Sequence, residues 1–290
     1  MPEPNSIPSD RWHIVGLGRA GRTFAWLLRE RLAHVSVSGF VRSESSLAAL
    51  PDELRALVTV GHIIPADADV VLFAVPDDAL QRVVSNAAAQ GARPRVWLHC
   101  SGVTPVAALR SLPGFHGSVH PLQSMQGHRA DIVALEGAIF AVAGDDPALL
   151  CVSKLVQAAR GQALQVPDEA RAAYHLAAVL AGNGVFALLQ AGRQIATLAG
   201  LDADLMQTGL AGLAAHSASN ASHNPLATVA TGPFMRGDGN TVRRHREWLR
   251  HNAAELGPLY QSLGRLLLGL ADERGLAPTA LTAAAVALEE

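Results

Sequence analysis

The spacing of hydrophobic and polar positions changes about halfway along this chain. In the first half, short runs rich in β-branched residues alternate with stretches of helical period, and several of the runs are apolar throughout. Continuously apolar strands are typical of parallel sheets that helices cover on both faces. The predicted strands are residues 12–18, 35–41, 69–75, 95–100, 117–121, 138–144 and 163–166. The alternation therefore predicts a doubly wound α/β domain with a mainly parallel sheet.

After Val166 the predicted strands stop and the pattern becomes helical. Asp168 is a candidate N-cap, with Glu169 in the first turn, for a long apolar helix. Further helices are predicted at residues 202–220, 239–253, 255–274 and 277–289. We therefore predict an α/β domain over residues 9–167 and an all-α domain over residues 168–290, which is compatible with a length of 290 residues.

The composition argues against several classes of function. A formal net charge of −2 gives no electrostatic reason to expect nucleic acid or a membrane surface as a partner. Cys100 and Cys151 are far apart, and His116 and His120 lack a third ligand, so we expect no disulfide scaffold and no metal site. Lys154 is the only lysine, which argues against Schiff-base chemistry and a phosphate-binding P-loop.

Two segments bear on localisation. The first residues lack the basic and then apolar layout of a signal peptide, so we expect a cytoplasmic protein. Residues 172–189 are apolar enough to be compared with a membrane span, but His175 and Asn183 interrupt them. We therefore expect this helix to be buried between protein surfaces.

The segment GLGRAG lies where a predicted strand meets a predicted helix. It has the G-x-G-x-x-G spacing of dinucleotide-binding loops, and this strand-to-helix context makes the motif informative. The three glycines would permit a tight turn, a close approach of the backbone to a pyrophosphate, and close packing of helix and strand. The predicted cofactor-binding residues here are Gly16, Leu17, Gly18, Arg19, Ala20 and Gly21. The alternative is a coincidental glycine-rich turn.

The end of the second predicted strand bears on which dinucleotide is bound. Proteins that prefer NAD usually carry an acid here, which binds the ribose 2′-hydroxyl. This chain has Arg42 and Ser43 instead, and a guanidinium with a hydroxyl suits a 2′-phosphate. We therefore predict NADP (NADPH) as the cofactor. The alternative is that Arg42 is a solvated loop cation.

Two later strands also end in residues that we expect near the cofactor, because ligands in open α/β sheets bind outside the carboxyl ends of the strands. These residues are Val75, Pro76, Ser101 and Gly102. Ser101 would lie near the nicotinamide and is also a candidate catalytic residue. Cys100 is expected to contribute to packing rather than to react as a thiol.

These motifs resemble a bacterial family of Rossmann-like proteins with a helical C-terminal domain of unknown function. The segments that carry the resemblance are GLGRAG, VRS, AVPDDAL, HCSG, HPLQSM, AYHLAAVLAGN and TGPFMRGDGNTVRRH. The family is similar to pyrroline-5-carboxylate reductase, the deazaflavin-dependent NADP reductase, ketopantoate reductase and the β-hydroxyacid dehydrogenases. The resemblance implies an all-α domain of the 6-phosphogluconate dehydrogenase C-terminal type, hydride transfer, and a homodimer formed through the helical domain.

Hydride transfer needs a group that supplies or takes a proton near neutral pH, and histidine does so with little tuning. His120 ends a predicted strand at the expected ligand edge, and His175 lies on the first helix of the second domain. Both are catalytic candidates, and for each the alternative is structural hydrogen bonding. Asn183 is a third candidate, through a substrate or nicotinamide amide or through a backbone carbonyl. The β-hydroxyacid dehydrogenases carry a catalytic lysine on this helix; since this chain has none there, we do not expect their usual chemistry.

Three further polar residues are candidate substrate contacts. Gln123 follows the His120 strand, and Arg236 and Asp238 lie in the glycine-rich segment TGPFMRGDGNT. Arg236 could hold a carboxylate bidentately or pair with Asp238 as a structural clasp. We predict an NADP-dependent oxidoreductase that acts on a small, carboxylated carbonyl or imine. The alternatives are a non-catalytic NADP sensor and a methyltransferase using S-adenosylmethionine, against which Arg42 argues.

Overall fold

The computed structural model describes residues 10–290, which form two compact units. The first unit ends at Val179 and the second runs from Leu180 to Glu290. The sequence predicts this boundary near Pro167. The structure places it further along the chain, because residues just after Pro167 form hydrogen bonds with the first unit.

An eight-stranded sheet forms the centre of the first unit. The strands are β1 (Arg11–Val15), β2 (Ser36–Val41), β3 (Val58–Val60), β4 (Val70–Phe73), β5 (Val96–His99), β6 (Phe115–Pro121), β7 (Ile139–Gly144) and β8 (Gln162–Gln165). Their order is β3-β2-β1-β4-β5-β6-β7-β8, and every neighbouring pair is parallel except β6 with β7. The first six strands have the order of the Rossmann fold, which confirms the predicted fold class.

Helices cover both faces of this sheet. The helices that begin in the first unit are α1 (Arg19–Arg31), α2 (Glu44–Ala48), α3 (Asp52–Arg55), α4 (Asp77–Ala89), α5 (Asp131–Ala134), α6 (Asp146–Ala158) and α7 (Arg171–Ala181). Leu72 and Leu98 belong to one buried apolar cluster, whereas Val71 and Trp97 belong to another. Because successive strand residues point to opposite faces, both sets must be apolar, which explains the continuously apolar runs.

The second unit is helical throughout residues 180–290, as predicted. Its helices are the end of α7 together with α8 (Asn183–Leu198), α9 (Ala203–Ala221), α10 (Leu226–Val229), α11 (Pro233–Arg236), α12 (Gly239–Asn252), α13 (Gly257–Glu273) and α14 (Pro278–Glu289). A small core forms among α11 to α14 around Phe234, Val242 and Leu268. By contrast, α9 contains no buried residue, so this unit leaves much apolar surface uncovered within one chain.

The prediction that Asp168 caps a long helix is wrong. Asp168 begins the short 3₁₀ helix Asp168–Ala170, for which Pro167 is the N-cap. Its carboxylate instead accepts hydrogen bonds from the backbone N–H groups of Val106 (2.8 Å) and Ala107 (3.2 Å). This carboxylate therefore fastens the chain before α7 to the 3₁₀ helix Val106–Leu109.

The apolar helix is interrupted at Gly182, which separates α7 from α8. Taken together, Asp168–Leu198 has the length and composition of a membrane span, with a mean hydropathy of 1.6 over its most apolar window. Core helices of soluble proteins pass the same test, so one such helix is weak evidence. None of that window is buried within the chain. The expected burial between protein surfaces is therefore not met inside a single copy.

Candidate functional site

The predicted cofactor loops meet at one edge of the sheet. Strands β1, β4, β5 and β6 are parallel neighbours, so their carboxyl ends lie side by side. The residues that the structure brings to this edge are the loop Gly16–Gly18 after β1, Val75 and Pro76 after β4, Ser101 and Gly102 after β5, and His120 near the end of β6. In open α/β sheets this edge, beside the point where the strand order reverses, is where ligands bind.

The glycine loop between β1 and α1 has the shape that a pyrophosphate requires. Gly16 has a φ of +93°, and a Cβ there would lie 2.7 Å from the carbonyl oxygen of Ala74. A Cβ on Gly21 would overlap the carbonyl oxygen of Gly16, so α1 can pack this closely only with glycine there. Above Gly18 the space is open to at least 4 Å. A phosphate could therefore approach the Gly18 backbone.

The first turn of α1 is also suited to an anion. Its N-cap, Gly18, supplies no side-chain hydrogen bond, and the turn contains no acidic residue. The first N–H groups of a helix lack intrahelical acceptors and carry partial positive charge. Among them are those of Arg19 and Ala20. These residues fit the phosphates of a dinucleotide.

Arg42 and Ser43 lie at the carboxyl end of β2, next to the β1 edge. Arg42 is exposed. Ser43 is the N-cap of α2, and its hydroxyl accepts a hydrogen bond from the backbone N–H of Ser46 at 3.2 Å. The Ser43 hydroxyl thus already has a structural role, while the Arg42 guanidinium is accessible to a ligand.

Two histidines lie against Gly102, and a tyrosine is bonded to one of them. The Nδ1 atom of His120 lies 2.8 Å from the hydroxyl oxygen of Tyr174. A Cβ built on Gly102 would lie 2.7 Å from Cδ2 of His175 and 3.0 Å from both Cε1 and Nε2 of His120. The two imidazole rings have centroids 6.2 Å apart. The rival candidates His120 and His175 therefore belong to one cluster within the first unit.

The cluster keeps His120 uncharged at neutral pH. Burial is the main reason that the pKa of His120 falls to about 4, and the charges of His175 and Arg171 lower it further. Burial also raises the pKa of Tyr174, so its hydroxyl keeps its proton. The Tyr174 hydroxyl can donate to Nδ1 in the tautomer that carries its proton on Nε2. His120 can then present an N–H on the side that faces Gly102.

The segment after β5 is held by several hydrogen bonds. The Ser101 hydroxyl accepts a bond from the backbone N–H of Thr104 at 2.9 Å, and the Ser101 N–H donates to Nδ1 of His99 at 3.2 Å. His99 is fully buried, and this burial is the main reason that its pKa falls to about 3. The Ser101 hydroxyl therefore shapes the turn that presents Gly102.

A second hydrogen-bonded loop follows β6. The side-chain amide of Gln123 donates to the carbonyl oxygen of Ala134 at 2.7 Å and accepts from the N–H of Ser124. The buried carboxylate of Asp131 accepts bonds from the Thr23 hydroxyl of α1 and from three successive backbone N–H groups, residues 126–128. These bonds lower the pKa of Asp131, although burial alone would raise it. Asp131 thus fixes the loop against α1, and Gln123 fixes it against α5.

The sequence prediction missed Arg171, Tyr174 and Asp131. Arg171 and Tyr174 lie three residues apart, and Tyr174 adjoins His175, so all three share one helix face. That spacing was the available signal for the residues of α7. Asp131 gave no comparable signal, because an exposed loop acid and a buried one look alike in sequence.

Three predicted site residues lie in the second unit. Asn183 is exposed at the start of α8, and Arg236 is exposed at the end of α11. Asp238 caps α12, where it accepts bonds from the backbone N–H (3.0 Å) and hydroxyl (2.7 Å) of Thr241. Arg236 forms no ion pair with Asp238, so the proposed clasp is absent, although its charge contributes to lowering the pKa of Asp238. The Arg236 guanidinium remains accessible.

His116 and the cysteines have structural environments. His116 contacts the Leu112 carbonyl oxygen at 2.9 Å, and within residues 10–290 no cluster of three or more His, Cys, Asp or Glu side chains is arranged to hold a metal ion. Burial raises the pKa of the Cys100 thiol to about 12. A thiol that keeps its proton is a poor nucleophile, in agreement with a packing role.

Comparisons with known proteins support the fold and the resemblance noted in the sequence. Residues 138–267 match the family model described as a domain of unknown function (DUF2520). None of the curated proteins that were compared matches the chain. This match and the structural similarities described next confirm the resemblance to Rossmann-like proteins with a helical C-terminal domain of unknown function.

Three solved structures illustrate the similarity. Protein TM1727 from Thermotoga maritima is 26% identical, with a TM-score of 0.70 over 90% of this chain and 98% of its own. BF3122 from Bacteroides fragilis, described as a putative NADP oxidoreductase, is 19% identical, with a TM-score of 0.68 over 93% and 99%. A pyrroline-5-carboxylate reductase from Coxiella burnetii is 13% identical, with a TM-score of 0.60 over 97% and 98%. The last two identities are so low that these similarities show the fold alone.

Proposed function

We propose that this protein is an NADP-dependent oxidoreductase that transfers a hydride to or from a small, carboxylated carbonyl or imine. The observation that carries the proposal is the position of His120. It is neutral, bonded to Tyr174 and in contact with Gly102, at the same sheet edge as the glycine loop. A dinucleotide loop and a hydrogen-bonding imidazole on one edge would bring the nicotinamide and a group that can bind the reacting atom of the substrate to the same place.

The residues that would hold the cofactor are those of the glycine loop and of the β2 end. The N–H groups at the start of α1 would bind the pyrophosphate, and the exposed Arg42 would bind the 2′-phosphate that distinguishes NADP from NAD. When bound, the nicotinamide supplies or accepts the hydride. The name of BF3122, a putative NADP oxidoreductase, agrees with a nicotinamide-dependent reaction, and the name of the Coxiella burnetii reductase agrees with a reduction.

The role that we assign to His120 is hydrogen bonding to the reacting oxygen or nitrogen of the substrate. Its Nδ1 is occupied by Tyr174, which leaves Nε2, the ring atom beside Gly102, to face a ligand. His175 lies against the same glycine and remains a direct rival for this role. We place the nicotinamide near Ser101, Gly102, Val75 and Pro76, and keep Gln123, in the loop after β6, as the candidate substrate contact of the first unit. Asn183, Arg236 and Asp238 stay predictions from the sequence.

Enzymatic function can be tested with the purified protein. NADPH binding is measured by fluorescence, and NADPH oxidation is followed with a panel of small keto acids, cyclic imines and a deazaflavin. We expect oxidation with at least one member and a loss of about 100-fold in His120→Gln or His175→Gln, which is the effect of misplacing the reacting groups by about 1 Å. His62→Gln, in an exposed loop outside the cluster, is the matched control. Binding of NADPH without turnover across the panel would favour a non-catalytic sensor.

We further propose that a second copy of the chain covers the exposed apolar face of α8 and α9. Phe186 is 68% exposed, Leu205 is 70% exposed and Leu213 is 63% exposed. Apolar surface of this extent on a soluble protein marks an interface, and homodimers are the commonest assembly. Light scattering should give twice the chain mass, and Leu205→Glu should shift the protein towards monomer. A monomeric wild-type protein would contradict this assembly.

A further inference from the structure

Arg171, the first residue of α7, has an unusual environment. Its side chain is 1% exposed, and within residues 10–290 it forms no ion pair with a carboxylate. The nearby Asp168 carboxylate is occupied by backbone N–H groups of the 3₁₀ helix Val106–Leu109. Burying a charge is costly: burial lowers the pKa of Arg171, and the charge of the nearby Asp168 carboxylate only partly offsets this effect. Folding stability alone therefore does not explain why a buried arginine occupies this position.

The guanidinium is bonded to both sides of the histidine cluster. Its Nε donates to the Thr104 carbonyl oxygen at 2.7 Å, and one terminal nitrogen donates to the Ser101 carbonyl oxygen at 3.3 Å. The same nitrogen donates to the hydroxyl of Ser118 in β6 at 2.6 Å. Ser118 lies two residues before His120 in that strand. Arg171 therefore connects the segment 101–104, which contains Gly102, with the strand that carries His120.

We propose that Arg171 is a positioning residue that fixes the segment 101–104 against β6 and so holds Gly102 in contact with His120 and His175. The proposal rests on the proposed hydride transfer at this cluster. The planar guanidinium is suited to this task, because it presents several donors in fixed directions, whereas a lysine ammonium is a single flexible point.

Arg171 also sets the charge around the imidazole. The charged and titratable groups that face His120 are Tyr174 and His175 from α7, Arg171 from the same helix, His99 from β5 and Asp77 from α4. Of these, Arg171 carries a fixed positive charge at all relevant pH values. It opposes protonation of His120 and adds to the effect of burial.

The test compares three variants and one control. Arg171→Gln removes the charge, Arg171→Lys keeps the charge but not the fork of donors, and Ser118→Ala removes one contact only. Arg110→Met, at an exposed arginine beyond the 3₁₀ helix Val106–Leu109, is the control. The readouts are the titration of His120 followed by NMR on histidine-labelled protein, with His120→Gln for assignment, and the single-turnover rate of NADPH oxidation.

We expect the titration of His120 to move upward in Arg171→Gln and to stay in place in Arg171→Lys. We expect the transfer rate to fall about 100-fold in both, the effect of misplacing reacting groups by about 1 Å, while NADPH affinity changes less. An unmoved His120 titration in Arg171→Gln, or a wild-type transfer rate in Arg171→Lys, would overturn the proposal. If Arg171→Gln does not fold, the transfer rate of Ser118→Ala tests the proposal instead. A wild-type rate in Ser118→Ala would show that the bond between Arg171 and Ser118 does not position the histidine cluster, and would overturn the proposal. The titration needs no turnover, so a failure of the proposed enzymatic function is recognised separately.

Discussion

Substitution of Gly102 by alanine is the most direct perturbation of the histidine cluster. The added methyl group would lie 2.7 Å from Cδ2 of His175 and 3.0 Å from Cε1 and Nε2 of His120. Carbon atoms in contact prefer about 3.5–4.0 Å, so the rings or the segment must separate by roughly 0.5–1 Å. The His120 ring cannot turn away freely, because Tyr174 holds it at Nδ1. Overpacking of this kind costs about 1–3 kcal/mol of folding free energy.

The functional effect of Gly102→Ala should exceed its effect on stability. A displacement of about 1 Å among reacting groups can reduce a rate by about 100-fold. The measurements are urea unfolding, NADPH affinity and the single-turnover rate of NADPH oxidation. Gly269→Ala is the control, since a Cβ there meets no atom within 4 Å and the position lies in α13 of the second unit. If Gly102→Ala matches the wild type in both stability and rate, the rings do not pack against this glycine and the site is assigned incorrectly.

Three further predictions concern pH, the loop after β6 and cofactor choice. His13, His99 and His120 have pKa values lowered by burial to about 4, 3 and 4 in the folded state, from an ordinary value of 6.5. The unfolded chain therefore binds more protons than the folded chain below pH 6.5, so the free energy of unfolding should be full above that pH and fall as pH drops towards 4. At pH 5.5 we expect a loss of about 1 kcal/mol for each histidine in urea unfolding. A free energy of unfolding that is unchanged between pH 7 and 5 would refute this. Asp131→Asn should release the loop from Thr23 of α1 and lower the free energy of unfolding by about 1–3 kcal/mol. NADPH binding in fluorescence titrations should also become weaker. An unaltered NADPH affinity would show that this loop does not contribute to cofactor binding. Arg42→Ala should weaken NADPH binding at least about 10-fold and leave NADH affinity unchanged, because the lost interaction is with the 2′-phosphate. Equal losses of affinity for both cofactors would show that Arg42 does not bind the 2′-phosphate.

The fold could be predicted from the sequence wherever one physical constraint dominated. Six of the eight strands, β1, β2 and β4 to β7, bury at least half of their residues, and their apolar runs predicted them. The strand β8 was also predicted, although its four residues are exposed. The strand that was missed, β3, has three residues, of which two are exposed, so burial imposed no pattern on it. The break at Gly182 was also missed, although Gly182, Asn183 and Gly184 interrupt the apolar pattern there, because a glycine within a helical pattern is tolerated and does not by itself mark a helix end.

The sequence predicted which strand ends form the candidate site, but not which side chains meet there. The position of His120 followed from the rule that ligands bind at the carboxyl edge, and β6 is parallel to β5 as that argument requires. Which groups would contact it was not predictable, because Tyr174 reaches it from 54 residues away in sequence. Asp168 shows the same limit: local spacing favoured a helix cap, but two backbone N–H groups of a distant 3₁₀ helix compete for its carboxylate and bind it.

The neutral state of His120 bears on which substrates the site can reduce. A carbonyl that accepts a hydride also needs a proton on oxygen, and a neutral imidazole with a pKa of about 4 for its cation is a weak source of one near pH 7. A protonated imine accepts a hydride without a further proton, and its N–H can donate to Nε2 of the neutral ring in the tautomer in which Nδ1–H donates to Tyr174. We therefore expect cyclic imines to be reduced faster than ketones of equal size, with a pH dependence that follows protonation of the imine. A faster reduction of ketones, with a rate that falls as pH rises through 6.5, would instead indicate an ordinary protonated histidine as the acid and would contradict the role that burial gives to His120.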